Sequence, residues 1–177
     1  MRTTLIIFYL LAAFSLRAAD NKPEGPQQLF TAVVGGTTIS VFSADRPFDP
    51  ALHKITQQIV DGSGHNTGAT IDGRAAIGSD GATPRAGRRQ LAQLYVQFGG
   101  KRVEVPESLL THVFNPGIGP ATFDHRFAET LVSVSADGKA VFISLGVGDG
   151  GGGSTYSIYV GADGTCTNEI PSRPGEQ

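Results

Sequence analysis

The residues able to do chemistry are few and scattered. The chain has 177 residues, with four histidines and one cysteine. No H-E-x-x-H and no paired Cys/His spacing occurs, so no metal site is expected. There is no G-x-S-x-G elbow, and Gly78-Ser79-Asp80-Gly81 lacks the strand-to-helix setting that such a nucleophile needs. His53 and His112 read as helix-flank residues and His65 as a loop residue. His125 stands apart, because Asp124-His125-Arg126 puts a carboxylate, an imidazole and a guanidinium in a row. Neighbours in an extended strand point to opposite faces, so Asp124 and Arg126 would pair on one side and His125 would face the other.

The best ligand candidate is the glycine-rich stretch 146–153, GVGDGGGG. Glycines let backbone amides approach a ligand closely. A phosphate cradle would need a helix after it, whereas the β-rich run TYSIYV follows. A calcium loop would need several spaced oxygen ligands, and only Asp149 is in place. The expected binding residues are Asp149 for charge, Tyr156 (or Tyr159) for a flanking aromatic surface, and His125. No catalytic residue, metal or cofactor is expected. One alternative is a small extracellular hydrolase drawing on Asp124, His125 and Asp149. Another is an inhibitor presenting residues 150–153 to a secreted enzyme.

The compartment follows from residues 1–19. A basic Arg2, an apolar run from Leu5 to Leu16 and the small residues Ala18-Ala19 before Asp20 have the layout of a signal peptide. The run is too short to span a bilayer, which needs about 20 apolar residues. Cleavage near Ala18 or Ala19 would leave a secreted or periplasmic chain. No cysteine follows the apolar run, which excludes a lipid anchor there. The only cysteine, Cys166, cannot form an intramolecular disulfide, so stability must come from an ordinary core. Cys166 is expected to be half-buried in a strand.

The whole chain carries a net charge of −2; without Arg2 and Arg17 it has 12 basic and 16 acidic side chains, a net charge of −4. That disfavours nucleic acid, and membrane after signal cleavage, as partners. An extracellular protein or ligand is the expected partner, and the expected function is a non-catalytic binding or structural module of the envelope or extracellular space.

Residues 20–28 read as a flexible leader, 29–170 as one β-rich domain and 171–177 as a tail. Gly35-Gly36 between β-rich runs predicts a hairpin pairing Val34 with Thr37, Ala32 with Ile39 and Phe30 with Val41. Gly99-Gly100 predicts a second, pairing Val96 with Val103. The pattern GG-x-x-[IV]-x-V therefore occurs twice. A helix is predicted after each: one opened by Asp49-Pro50, with Leu52, Ile55, Ile59 and Val60 on one face, and one over 106–114. Residues 61–89, glycine-rich with few bulky apolar side chains, read as a disordered linker. Asp137-Gly138 predicts a type I′ hairpin pairing Val134 with Val141, and it opens a four-strand C-terminal meander. The expected class is thus α+β: antiparallel hairpins and a meander packed against two short helices, with a long disordered insertion.

LVSVSADGKAVFIS, starting at Leu131, resembles one blade hairpin of secreted β-propellers of the lactonase-like or translocation-associated kind, and YVGADGT is a fainter copy. A propeller needs about 40 residues per blade, typically four to eight times over. This chain cannot supply them, and no family is assigned.

Overall fold

The computed structural model describes residues 25–59, 66–79, 83–116, 130–147 and 154–168. Eleven strands lie among them: β1 (Gln27–Val34), β2 (Thr37–Pro47), β3 (Ile55–Ile59), β4 (Asn66–Ile71), β5 (Arg74–Ala75), β6 (Arg89–Phe98), β7 (Lys101–Glu104), β8 (Leu131–Val134), β9 (Ala140–Val147), β10 (Ser154–Gly161) and β11 (Cys166–Thr167). They form three antiparallel sheets, ordered β1-β2-β6-β7, β11-β10-β9-β8 and β3-β4-β5.

The hairpin registers follow from the turns. Gly35 and Gly36 both have positive φ (58° and 79°), the conformation a two-residue type I′ loop requires. They set Val34 opposite Thr37, Ala32 opposite Ile39 and Phe30 opposite Val41. Val96 lies opposite Val103, and Val134 opposite Val141. β2 pairs with β6, so the two Gly-Gly hairpins lie side by side in one sheet. Their inward residues, including Ile39, Val41, Leu94, Val96 and Val103, share one apolar cluster with Val141, Ile143, Leu145, Ile158 and Val160 of the meander. The two four-stranded sheets thus close a common core. On the outer side of the first sheet Phe42 stacks on Tyr95, and Arg102 lies 3.6 Å over the Tyr95 ring. Cys166 is half-buried in β11, its Sγ directed at the Glu104 carbonyl.

The α+β expectation is corrected: among the described residues the only helical pieces are two 3₁₀ turns, Pro50–Leu52 and Glu107–Leu109. Asp49 does cap the first, its Oδ1 accepting from the Ala51 amide at 3.0 Å. The chain then extends at His53, and Ile55–Ile59 pairs with β4. A helix this short is marginal alone, and β-branched Ile55 and Thr56 favour a ladder. After the second turn, the His112 carbonyl accepts from the Ile77 amide, the Phe114 amide donates to the Ile77 carbonyl, and the Val113 carbonyl accepts from Leu91. A helix over 106–114 would withdraw those partners and strand backbone groups beside the core. The Leu109, Leu110, Val113 and Phe114 spacing reflects burial in an irregular strap.

The reading of 61–89 as a disordered linker is also corrected where the chain is described. Strands β4 and β5 lie within it, joined by Asp72-Gly73, with φ of 52° and 85°. Ala69 and Ile71 are buried, and Ile71 meets Phe48 and Phe114 in a second small core. The meander's Asp137-Gly138 turn keeps its register but not its type. The Gly138 amide donates to the Ser135 carbonyl at 2.9 Å, and only Gly138 has positive φ, so a type I turn is followed by a left-handed glycine.

Because Ile71 is fully buried in a cluster with two phenylalanines, Ile71→Ala should cost about 2–5 kcal/mol in urea unfolding. A loss under about 0.5 kcal/mol would restore the linker reading.

Candidate functional site

The Asp72-Gly73 turn places a carboxylate over the start of β3. Asp72 tolerates the left-handed region better than most residues because its short side chain bonds locally. Its amide donates to the Lys54 carbonyl, and its Oδ1 accepts from the Lys54 amide, both at 2.9 Å. Its Oδ2 lies 2.7 Å from His53 Nδ1. These bonds, the histidine first and the Lys54 amide second, hold the carboxyl below the usual aspartate range, against a smaller opposing effect of burial. The His53 side chain is only 7 % exposed, and its ring stacks on Phe48 at 5.2 Å.

The far side of the imidazole meets β6. His53 Nε2 lies 3.5 Å from Nε2 of Gln90, a fully buried residue. The Gln90 amide also donates to the Thr111 carbonyl at 2.6 Å, and its Oε1 accepts from Arg46 Nε at 3.2 Å. Arg46 reaches on to Glu107 at 3.0 Å. A polar chain therefore runs from Asp72 through His53, Gln90 and Arg46 to Glu107. This pattern fixes the imidazole with its proton on Nδ1, directed at Asp72, and Nε2 turned toward the Gln90 amide.

Over this chain lies a groove of about 360 Å³ lined by Leu52, His53, Asp72, Arg74, Glu107, Ser108 and Thr111. An aspartate–histidine pair beside a serine has the composition of an acid–base site. A general base, however, must offer its free nitrogen to the proton it takes. Here Nε2 faces a buried amide, so the pair fixes Asp72 at the groove.

Behind the groove, His112 is buried with no partner for its Nδ1 and meets Tyr156 edge to face at 5.3 Å. Burial, helped by the Arg74 cation, pushes the His112 pKa down to about 4. Burial pushes the Tyr156 phenol up, against a smaller opposing effect of Arg74.

Of the residues expected from the sequence, Tyr156 and Tyr159 are described, and neither lines the groove. Tyr156 is 4 % exposed, and its hydroxyl donates to the Leu109 carbonyl at 2.8 Å, so it belongs to the core and offers no ligand surface. Asp149 and His125 lie outside the described residues. The sequence reading missed His53, Asp72, Gln90, Arg46 and Glu107. The one local signal was Asp72-Gly73, a hairpin dipeptide inside the stretch read as linker.

No protein-family model matches the chain, and neither a curated protein nor a solved structure matches it.

His112 titrates near 6.5 when unperturbed and near 4 in the fold. Between these values the unfolded chain binds the proton and the folded chain does not, so stability rises with pH across that window. The full effect is roughly 3 kcal/mol, present above the upper value and lost on acidification toward the lower. Urea titrations between pH 4 and 7 should show this slope in the wild type and its loss in His112→Phe. An equal slope in both proteins would place the titrating group elsewhere.

Proposed function

We propose that the protein is an exported, non-catalytic binding module that takes a small carboxylate-bearing ligand in the groove beside Asp72. The observation that carries this reading is a guanidinium in the groove with no described carboxylate paired to it. Asp72 is engaged by His53 and Glu107 by Arg46, while Arg74 makes no ion pair with any described residue. Guanidinium groups bind carboxylates through two parallel hydrogen bonds, and Ser108 and Thr111 add hydroxyls on the same wall. The volume suits a small molecule or a chain terminus. The signal-like pattern of residues 1–19 supports export.

A second reading, the small hydrolase, draws on the Asp72–His53 pair with Ser108 in the same groove. The engagement of His53 Nε2 by Gln90 counts against it.

Titrating the full chain with succinate and N-acetylglutamate, followed by amide shifts, tests the binding reading. Shifts should centre on Arg74, Ser108 and Thr111, and Arg74→Gln should weaken binding by at least about tenfold. Shifts elsewhere, or an unaffected Arg74→Gln, would remove this groove as the site. Turnover of a simple ester that is lost in His53→Ala and Ser108→Ala would favour the hydrolase. N-terminal sequencing of protein recovered outside the cytoplasm should begin near Asp20.

A further inference from the structure

β1 is an edge strand: it pairs with β2, and no described residue pairs with its other side. Sheet edges are templates for further pairing unless they are shortened, charged, bulged or covered. The other edges of the two large sheets are protected. β7 has Lys101, Arg102 and Glu104 among its four residues, β8 has only four residues and β11 only two. β1, reading QQLFTAVV, has eight residues with no charge and no proline, and Val33 is 69 % exposed.

The outward backbone groups can be assigned. In a two-residue hairpin the pair flanking the turn is hydrogen-bonded, and bonded and unbonded pairs then alternate. Val34, Ala32 and Phe30 thus bond to β2, while Thr31 and Val33 point their amides and carbonyls away from it. The Thr38 carbonyl confirms this phase. It accepts from Gly99 on the β6 side at 2.7 Å, so Val33, opposite Thr38, is in an unbonded pair.

We propose that β1 pairs with β1 of a second copy of this chain, antiparallel about a twofold axis at Ala32, joining two four-stranded sheets into one of eight strands. In that register Thr31 exchanges both backbone hydrogen bonds with Val33 of the second copy, and Val33 with its Thr31. Phe30 comes opposite the second copy's Val34, which extends the apolar face of Phe30, Ala32 and Val34 across the axis. Two observations select a second copy as the occupant. The uncharged window from Phe30 to Val34 is complementary to itself, and its ends are set by the irregularity between Gln28 and Phe30 and by the Gly35-Gly36 turn. Head-to-tail pairing of β1 on β7 would instead set it against Lys101, Arg102 and Glu104, so the association closes at two copies.

Sedimentation velocity of the full chain tests this, with Val33→Pro and Val33→Lys as variants. The Val33 amide points away from β2, so proline there removes a donor to the second copy without removing one from the β1–β2 ladder. The wild type should convert reversibly from one chain to two with rising concentration. Both variants, with unchanged far-ultraviolet circular dichroism, should weaken the dimer by at least about tenfold. If Val33→Pro does not fold, Val33→Lys, which alters only an exposed side chain, decides the question. Hydrogen exchange should show the Thr31 and Val33 amides protected in the dimer. A wild type that stays monomeric at hundreds of micromolar, a dimer untouched by the variants, or unprotected Thr31 and Val33 amides in the dimer would each overturn the proposal.

Discussion

The arrangement around the groove depends on one buried amide. Gln90 sits in β6 with no exposed surface, and its head group meets Arg46, His53 and the Thr111 carbonyl. A buried amide without partners costs several kcal/mol relative to water, roughly 2–7 by the reference chosen. Those partners come from β2, from the chain between the first 3₁₀ turn and β3, and from the strap after the second turn. Each is drawn to the same point because each satisfies part of that amide. The small third sheet is tied in here, through Asp72 and His53, as well as through its own core, whose buried members are Phe48, Ile71 and Phe114.

The strap after Glu107–Leu109 is the counterpart of that amide. It has no regular secondary structure, yet its backbone groups are paired in several directions. The Leu109 carbonyl takes the Tyr156 hydroxyl, Thr111 takes Gln90, the segment from His112 to Phe114 pairs with Ile77, and Val113 takes the Leu91 amide. The strap thereby links the meander, the first sheet and the chain beyond β5. His112 is the exception, an imidazole with an unpartnered nitrogen in this otherwise satisfied region. Burial disfavours the protonated form of this ring, so acid works against the strap. Thr111, next in the chain to His112, lines the groove, so loosening the strap would also disturb the ligand wall.

The hairpins of the two large sheets were legible in the sequence because their signals are local, whereas the third sheet was not. Val34, Ala32 and Phe30 alternate with polar or exposed residues, and a two-residue glycine turn leaves one register. The helices were misread because Leu52, Ile55 and Ile59, like Leu109, Leu110 and Val113, fit a helical period over so few residues that a strand or strap fits them too. What decided between the options was the demand of Ile77 and Leu91 for backbone partners, and no local window contains that demand. The groove was illegible for a related reason. His53, Asp72, Gln90 and Glu107 come from four separate elements, and none is unusual in its own neighbourhood. The Asp149 loop attracted notice through composition, while the polar network uses residues of ordinary spacing.

The three Asp-Gly dipeptides in hairpin turns show how far a local signal reaches. At Asp72-Gly73 both residues are left-handed, whereas at Asp137-Gly138 and Asp163-Gly164 only the glycine is. In the latter two the glycine amide closes a type I turn onto Ser135 or Gly161, and the aspartate accepts from the amide two residues on, at Lys139 or Thr165. Those aspartates serve their own turns. Asp72 instead directs its side chain to Lys54 and His53, both in the approach to β3. The dipeptide fixes that the chain reverses; the flanking strand pairing fixes which turn forms and where the carboxylate goes. Of the three aspartates, Asp72 alone directs its carboxylate out of its own turn, and it lines the groove.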